Sequence, residues 1–180
     1  PKITASIIRQ LPHLVAIVRY GIGVDSIDLT AATRRKIFVA NVPDYCVEEV
    51  ATHAITLILA WTRKLPMAVG SVAKDEWTLE SLRPLQSAQD LVVGLVGFGR
   101  IAQRVAPMAR AIGFQVFAAD PYVDANSIRK QKVEAVSFPR LIEHADLISL
   151  HLPLNEKTRH CINAGVLRRM KSTAYLINTA

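Results

Sequence analysis

Val92-Val93-Gly94-Leu95-Val96-Gly97-Phe98-Gly99-Arg100-Ile101-Ala102 decides the fold of this chain, because Asp120 stands 21 residues beyond Gly99. The apolar run Leu91–Val96 reads as a strand, and Arg100–Ile112 as a helix opening directly after the turn. A second strand, Phe114–Ala119, then ends at Asp120. Gly97-Phe98-Gly99-Arg100-Ile101-Ala102 has the spacing G-x-G-x-x-G/A, and each position has a physical task. Gly97 permits the tight strand-to-helix turn, and Gly99 lets the backbone approach a pyrophosphate where a Cβ would collide. Ala102 is small enough for close helix–strand packing, while the helix N-terminus offers free N–H groups and its positive dipole end. Asp120 can accept hydrogen bonds from a ribose 2′-hydroxyl and would repel a 2′-phosphate. Strand, turn, helix, strand and acid in register point to a dinucleotide site with NAD preferred over NADP. The plainer alternative is a glycine-rich turn in an unrelated α/β sheet.

The remaining composition narrows the classes. At 180 residues the chain can be one domain or parts of two. An apolar share of 51% indicates a filled core rather than disorder. The apolar stretch Ala54–Trp61 is too short to span a bilayer, so no membrane partner is expected. The chain opens on Pro1 with no secretory signal pattern, which leaves its natural start open. Cys46 and Cys161 have no metal spacing and suggest no disulfide framework. That favours a cytoplasmic protein without a metal site. The net charge is +7, and residues 91–180 hold 12 Lys and Arg against 6 Asp and Glu. Clusters at Arg129, Lys130, Lys132 and at Arg168, Arg169, Lys171 could suggest nucleic acid. With aromatics at only 6%, there are few stacking platforms, so solvated helix surfaces are the better reading.

Along the chain, Leu14–Tyr20 reads as a buried strand leaving through Gly21-Ile22-Gly23. Ser26–Lys36 suits a short helix capped by Asp25 or Ser26, and Ile37–Val42 is a β-rich run stopped by Pro43. From Val47 to about Lys64, Val50, Ala51, Ala54, Ile55, Ile58 and Trp61 recur at helical spacing. Residues 74–90 look like a connector. Beyond Leu91 strands and helices alternate. The strands are expected at Leu91–Val96, Phe114–Ala119, Val133–Val136, Leu147–Leu152 and Ala174–Asn178. The helices are expected at Arg100–Ile112, Pro139–His144 and Ala164–Met170. This rhythm implies an α/β fold with a doubly wound parallel sheet. The last strand runs into the chain end, where ligands of such sheets bind, so the sequence reads as a piece of something longer.

The order of motifs resembles the D-isomer-specific 2-hydroxyacid dehydrogenases. Four matches carry the resemblance: Arg19-Tyr20-Gly21-Ile22-Gly23-Val24-Asp25-Ser26-Ile27-Asp28; Asn41-Val42-Pro43 leading to Val50-Ala51-Thr52-His53; the glycine fingerprint with Asp120-Pro121; and His151-Leu152-Pro153-Leu154-Asn155 with Thr158, followed by Asn178-Thr179-Ala180. The Val-Pro-Asp-Tyr-Cys-Val-Glu-Glu run looks most like bacterial members of the C-terminal-binding-protein type.

The resemblance implies part of a smaller, flavodoxin-like substrate domain in residues 1–45 and a Rossmann-type NAD-binding domain in 46–180. It implies that backbone groups of Phe98, Gly99, Arg100 and Ile101 hold pyrophosphate beside Gly97, with Asp120 and Pro121 at the adenosine ribose. Leu152, Pro153 and Thr158 would border adenine, and Thr179 and Ala180 nicotinamide. Val50 stands where some relatives have Thr, so a side-chain hydrogen bond to the cofactor is lost there. The turn with Ile22 and Gly23 would present N–H groups to a substrate carboxylate, and Arg19 could add its charge. The helix from Val47 would help form a homodimer.

Family chemistry is hydride transfer between NAD(H) and a 2-hydroxy or 2-keto acid, with an Arg, a Glu and a His as catalytic groups. No residue of this chain matches them, since His13, His53, His144, His151 and His160 fall elsewhere. The 180 residues are therefore expected to supply the cofactor half alone and to be inactive by themselves. The alternative is a non-enzymatic NAD(H)-sensing interaction protein.

Overall fold

In the computed structural model, residues 2–180 are described. The chain divides into two compact units, one ending at Cys46 and the other running from Val47 to Ala180.

The first unit contains α1 (Ala5–Gln10), β1 (Ala16–Arg19), α2 (Leu29–Arg34) and β2 (Phe38–Asn41). The strands pair in parallel, Ala16 opposite Phe38 and Arg19 opposite Asn41. Ile8, Ile17, Ile27, Ala32 and Ile37 form a small core. The Arg35 guanidinium ties α2 to the turn after α1 by donating to the carbonyls of Leu11 (3.1 Å) and Pro12 (2.8 Å). Two expectations are corrected. The run Leu14–Tyr20 is not a buried strand: only Ile17 of β1 is buried, while Val18 is 75% exposed. The helix starts at Leu29 rather than Ser26, and its cap is Asp28, whose Oδ1 accepts from the Ala31 N–H at 2.9 Å. Ser26 ends a turn, and the helix cannot begin there because Ile27 bridges Ile3 and the Asp28 N–H donates to the Ile3 carbonyl.

The second unit opens with α3 (Val47–Thr62) and α4 (Leu65–Val72), followed by two short 3₁₀ turns at Glu80–Leu82 and Ala88–Asp90. Then come β3 (Val92–Val96), α5 (Arg100–Ile112), β4 (Gln115–Ala119), α6 (Ala125–Lys130), β5 (Glu134–Ala135), α7 (Phe138–His144), β6 (Leu147–Leu150), α8 (Ala164–Leu167) and β7 (Tyr175–Asn178). All five strands are parallel in the order β5-β4-β3-β6-β7. That is the doubly wound arrangement, reversing direction between β3 and β6.

Helices cover both faces. One cluster joins Val93 and Leu95 of β3 to Ala51, Ala54 and Ile58 of α3 and to Ala102, Val105 and Ala109 of α5. The other packs Leu141 and Ile142 of α7 on Phe117 and Ile148. The fit there is tight: a Cβ on Gly94 would stand 2.7 Å from a Leu141 methyl. The apolar content of α3 is thus used within its own unit.

In this unit two helices were missed, as α1 was in the first. α4 carries Pro66 in its first turn, where a missing N–H costs nothing. α6 is short and polar, and Asp124 caps it by accepting from the N–H groups of Asn126 (2.9 Å) and Ser127 (3.1 Å). β6 ends at Leu150, two residues early, because His151 turns toward the glycine loop. α8 ends at Leu167 rather than Met170. Among the described residues, no helix is long and apolar enough to cross a membrane.

Candidate dinucleotide site

At the reversal point the neighbouring connections leave β3 and β6 toward opposite faces, which opens a crevice at the carboxyl ends of the strands. The turn from Val96 to Arg100 lies there. Gly97 has φ +90°, and a Cβ on it would sit 2.7 Å from the His151 carbonyl oxygen. The surrounding ladder is closed, with the Gly97 N–H donating to Ala119 O (2.9 Å) and the His151 N–H to Val96 O (2.8 Å). Gly97 is therefore demanded by the protein itself. Gly99, the N-cap residue of α5, differs: it has an ordinary φ of −76°, and a Cβ there would meet nothing within 4 Å. No packing of the chain requires glycine at 99, and the space beside it stands open.

Asp120 bridges the turn and the end of β4. Its Oδ2 accepts from the Phe98 N–H (2.7 Å) and its Oδ1 from the Tyr122 N–H (2.8 Å). These bonds fix the carboxylate, and each oxygen keeps a further lone pair. One site expectation changes here. The Phe98 N–H, assigned to pyrophosphate, is engaged by Asp120, and the Phe98 ring is only 1% exposed, locked in the core. Phe98 shapes the turn rather than facing a ligand.

A cavity of about 580 Å³ opens beside the turn, and Gly99, Asp120, Pro121, Leu152, Pro153 and Thr158 all line it. The crevice thus gathers six expected site residues. Val136 and Phe138 add an apolar wall that sequence reasoning did not place. Its signal was the strand at Val133–Val136, read as an element but not as a cavity lining. Gly97, Arg100 and Ile101 flank the opening through the turn and the first residues of α5. Val50 lies on α3, and Thr179 and Ala180 follow β7 without lining the cavity. The Thr179 hydroxyl oxygen is buried and lacks a hydrogen-bond partner among the described residues.

The loop after β6 is built by its own side chains. Asn155 Oδ1 accepts from the N–H groups of Lys157 (2.9 Å) and Thr158 (3.1 Å), and the Thr158 hydroxyl donates to Pro153 O (2.5 Å). His151, at its start, lies with Nε2 3.0 Å from the hydroxyl of fully buried Ser149. Burial lowers the His151 pKa from 6.5 to about 4, so the imidazole is neutral at pH 7.

In the first unit Gly21 has φ +145° after β1, and Asn41 pins the turn by donating to Ile22 O at 2.8 Å. Arg19 folds over this turn: its guanidinium donates to Tyr20 O (2.8 Å) and lies 3.3 Å from where a Gly21 Cβ would stand. Arg19, Ile22 and Gly23 are therefore neighbours. Tyr20 and Tyr45 pack ring to ring beside them, centroids 4.8 Å apart. The Tyr45 hydroxyl donates to Cys46, and that bond, with further charge interaction from Cys46 and Tyr20, pushes the phenol pKa up to about 12.

Of the basic clusters, Arg169 pairs with Glu143 (2.7 Å) and Lys171 with Asp146 (2.8 Å). Local carboxylates thus absorb part of that charge.

A family profile described as "D-isomer specific 2-hydroxyacid dehydrogenase, NAD binding domain" matches residues 55–180. The chain is 36% identical over 99% of its length to a D-3-phosphoglycerate dehydrogenase of Methanocaldococcus jannaschii, covering 34% of that protein. It is 37% identical to a hydroxypyruvate reductase of Thermotoga maritima, again over 99% of the chain but 57% of the relative. The crystal structure of a D-lactate dehydrogenase from Aquifex aeolicus complexed with NAD and lactic acid superposes with a TM-score of 0.92 at 32% identity. That match covers 99% of this chain and 54% of the other. The chain spans between a third and three fifths of the length of these proteins. A glycine turn, an anchored acid and a cavity at the reversal point of a parallel sheet agree with that likeness: the chain belongs to the D-isomer-specific 2-hydroxyacid dehydrogenase family and carries its NAD-binding domain.

Proposed function

We propose that the protein is an NAD-dependent oxidoreductase of small 2-hydroxy and 2-keto acids, and that these residues hold the dinucleotide. The observation that carries this reading is the open space at Gly99, beside the anchored Asp120 carboxylate and at the N-terminus of a 13-residue helix. A phosphate can approach the backbone there and meet the N–H groups and dipole of the α5 N-terminus. Asp120 accepts from the adenosine ribose, and Leu152, Pro153 and Thr158 border adenine. The orphaned Thr179 hydroxyl supports placing the nicotinamide end beyond β7, where a polar ligand group would satisfy it.

When bound, the nicotinamide supplies or accepts the hydride. The chain's own residues bind, orient and exclude water. The Gly21-Ile22-Gly23 turn and Arg19 would receive a substrate carboxylate. His151 is neutral and half-buried, so it does not serve as the proton donor at neutral pH. Residues 1–45 would then serve as part of the substrate domain and 46–180 as the cofactor domain, in a cytoplasmic enzyme.

The homodimer belongs to this proposal, with its seat moved from α3 to the segment after it. Leu65, Val69 and Val72 share one face of α4 and are exposed, and Trp77 beyond them is 92% exposed. Such a patch marks an interaction surface. Val69→Glu should shift the light-scattering mass from dimer to monomer, and an unchanged mass would overturn this part.

Calorimetric titration with NAD⁺ tests the central reading, and NADH oxidation with glyoxylate, hydroxypyruvate and pyruvate tests the activity. NAD⁺ binding by these 180 residues without turnover, and turnover in a chain of the relatives' length, are expected. Failure to bind NAD⁺ would refute the placement. Turnover by the 180 residues alone would locate the chemistry in groups to which only a structural or binding role has been given.

A further inference from the structure

The cavity beside the glycine turn is lined by two charged side chains among the described residues, Asp120 and Lys157, and they are joined. Asp120 Oδ1 accepts from the Tyr122 N–H at 2.8 Å. The Lys157 ammonium reaches the Tyr122 hydroxyl at 3.4 Å and lies 5.9 Å from its ring centroid. The Lys157 N–H donates to Asn155 Oδ1, so the backbone that carries the ammonium is anchored at the cavity rim. A carboxylate, a tyrosine and an ammonium thus form one rim around the position where the adenosine ribose is proposed to lie.

The two charges act oppositely on a 2′-phosphate. Asp120 repels it, but the carboxylate already shares its charge with two backbone N–H groups, 2.7 and 2.8 Å away. The ammonium would attract it, and Tyr122 holds that ammonium toward the same end of the cavity. A 2′-hydroxyl carries no charge and is indifferent to Lys157 beyond a single hydrogen bond.

We propose that Lys157 is a specificity-determining residue that offsets the exclusion of 2′-phosphorylated dinucleotides by Asp120, leaving the protein with measurable NADP(H) affinity. The inference rests on the placement of adenosine in this cavity. Sequence spacing could not show it, because Lys157 is 37 residues from Asp120 and belongs to a different loop.

The test measures dissociation constants of NAD⁺ and NADP⁺, and of 5′-AMP and 2′,5′-ADP as cofactor fragments, for the parent, Lys157→Glu and Arg129→Glu. Arg129→Glu makes the same charge change on α6, where Arg129 contacts Asn126 and lines no part of the cavity. Lys157→Glu should weaken NADP⁺ and 2′,5′-ADP by about tenfold, as loss of a charge-assisted contact to phosphate does, and NAD⁺ and AMP by less than about twofold. Arg129→Glu should leave all four within about twofold. An NADP⁺-to-NAD⁺ ratio unchanged by Lys157→Glu, equal weakening of both cofactors, or the same shift from Arg129→Glu would each overturn the proposal. In all three cases NAD⁺ still binds the parent, and the cofactor site stands. Absence of NAD⁺ binding to the parent would overturn the site and this inference together.

Discussion

Two G-x-G turns leave parallel strands in this molecule, and a helix begins directly behind only one of them. After β1, Gly21 takes φ +145°, and the nearest obstacle to a side chain is the end of the flexible Arg19. The chain then passes through turns to Asp28 before any helix begins. After β3, Gly97 takes φ +90° against a backbone carbonyl, and α5 begins directly behind Gly99. The glycine pattern is common to both. The helix N-terminus behind the turn, the acid across from it and the cavity beside it belong to the second alone. Glycine permits a backbone approach, but the helix and the acid decide what approaches.

The contrast is most exposed at Gly97. Gly97→Ala places a methyl 2.7 Å from His151 O and 2.9 Å from a Leu152 methyl, in a backbone conformation that L residues rarely adopt. Overpacking and dihedral strain together should cost about 3–5 kcal/mol in urea denaturation, with cofactor binding lost as well. A cost below about 1 kcal/mol would mean that this turn is as yielding as the first.

The carbonyl that confines Gly97 belongs to His151, so protonation of that residue should be felt at the turn. Its folded-state pKa of about 4 lies below the ordinary 6.5. The unfolded chain therefore takes up the proton first. Stability contributed by the neutral form is complete above about pH 6.5 and falls as pH drops toward 4, by about 3 kcal/mol across the window. Denaturation midpoints at pH 7 and 4.5 should diverge for the parent and converge for His151→Gln. Equal pH dependence in both proteins would place the loss elsewhere.

Asp120 distinguishes the turns by charge. Asp120→Asn removes the repulsion of a 2′-phosphate and weakens the bond to the Phe98 N–H. The NAD⁺-to-NADP⁺ affinity ratio should fall about tenfold or more, equivalent to about 1.5–3 kcal/mol. An unchanged ratio would remove the carboxylate from the ribose site.

The smallest effect is expected at the first turn. Gly21→Ala meets only a movable guanidinium, so the cost should be the dihedral strain alone, about 1–2 kcal/mol, with NAD⁺ affinity unaltered. A cost matching that of Gly97→Ala would erase the contrast.

The second turn was legible in sequence because every part of it is local. Gly97, Gly99, Ala102 and the helix Arg100–Ile112 follow one another, and Asp120 stands one strand away. The parallel sheet was legible for the same reason, since a buried strand such as Val92–Val96 has no polar side chain along its length. What escaped depended on contacts distant in sequence. The burial of β1 was overstated because Val15 and Val18 are apolar, yet apolarity alone cannot say which face is covered. The engagement of the Phe98 N–H by Asp120 spans 22 residues and left no local sign. α6 could have been found from Asp124 as a cap, but its polar face offered no periodicity.

Gly99→Val is the sharpest probe of the phosphate site, because the position is open to the ligand and to nothing else in the chain. The measurement pairs an NAD⁺ titration with a urea denaturation curve of the same protein. The expected result is a denaturation midpoint close to that of the parent and a loss of NAD⁺ affinity of about a hundredfold, near 2.7 kcal/mol. An unaltered fold that binds NAD⁺ as tightly as the parent would contradict the placement, and the phosphate would have to lie elsewhere.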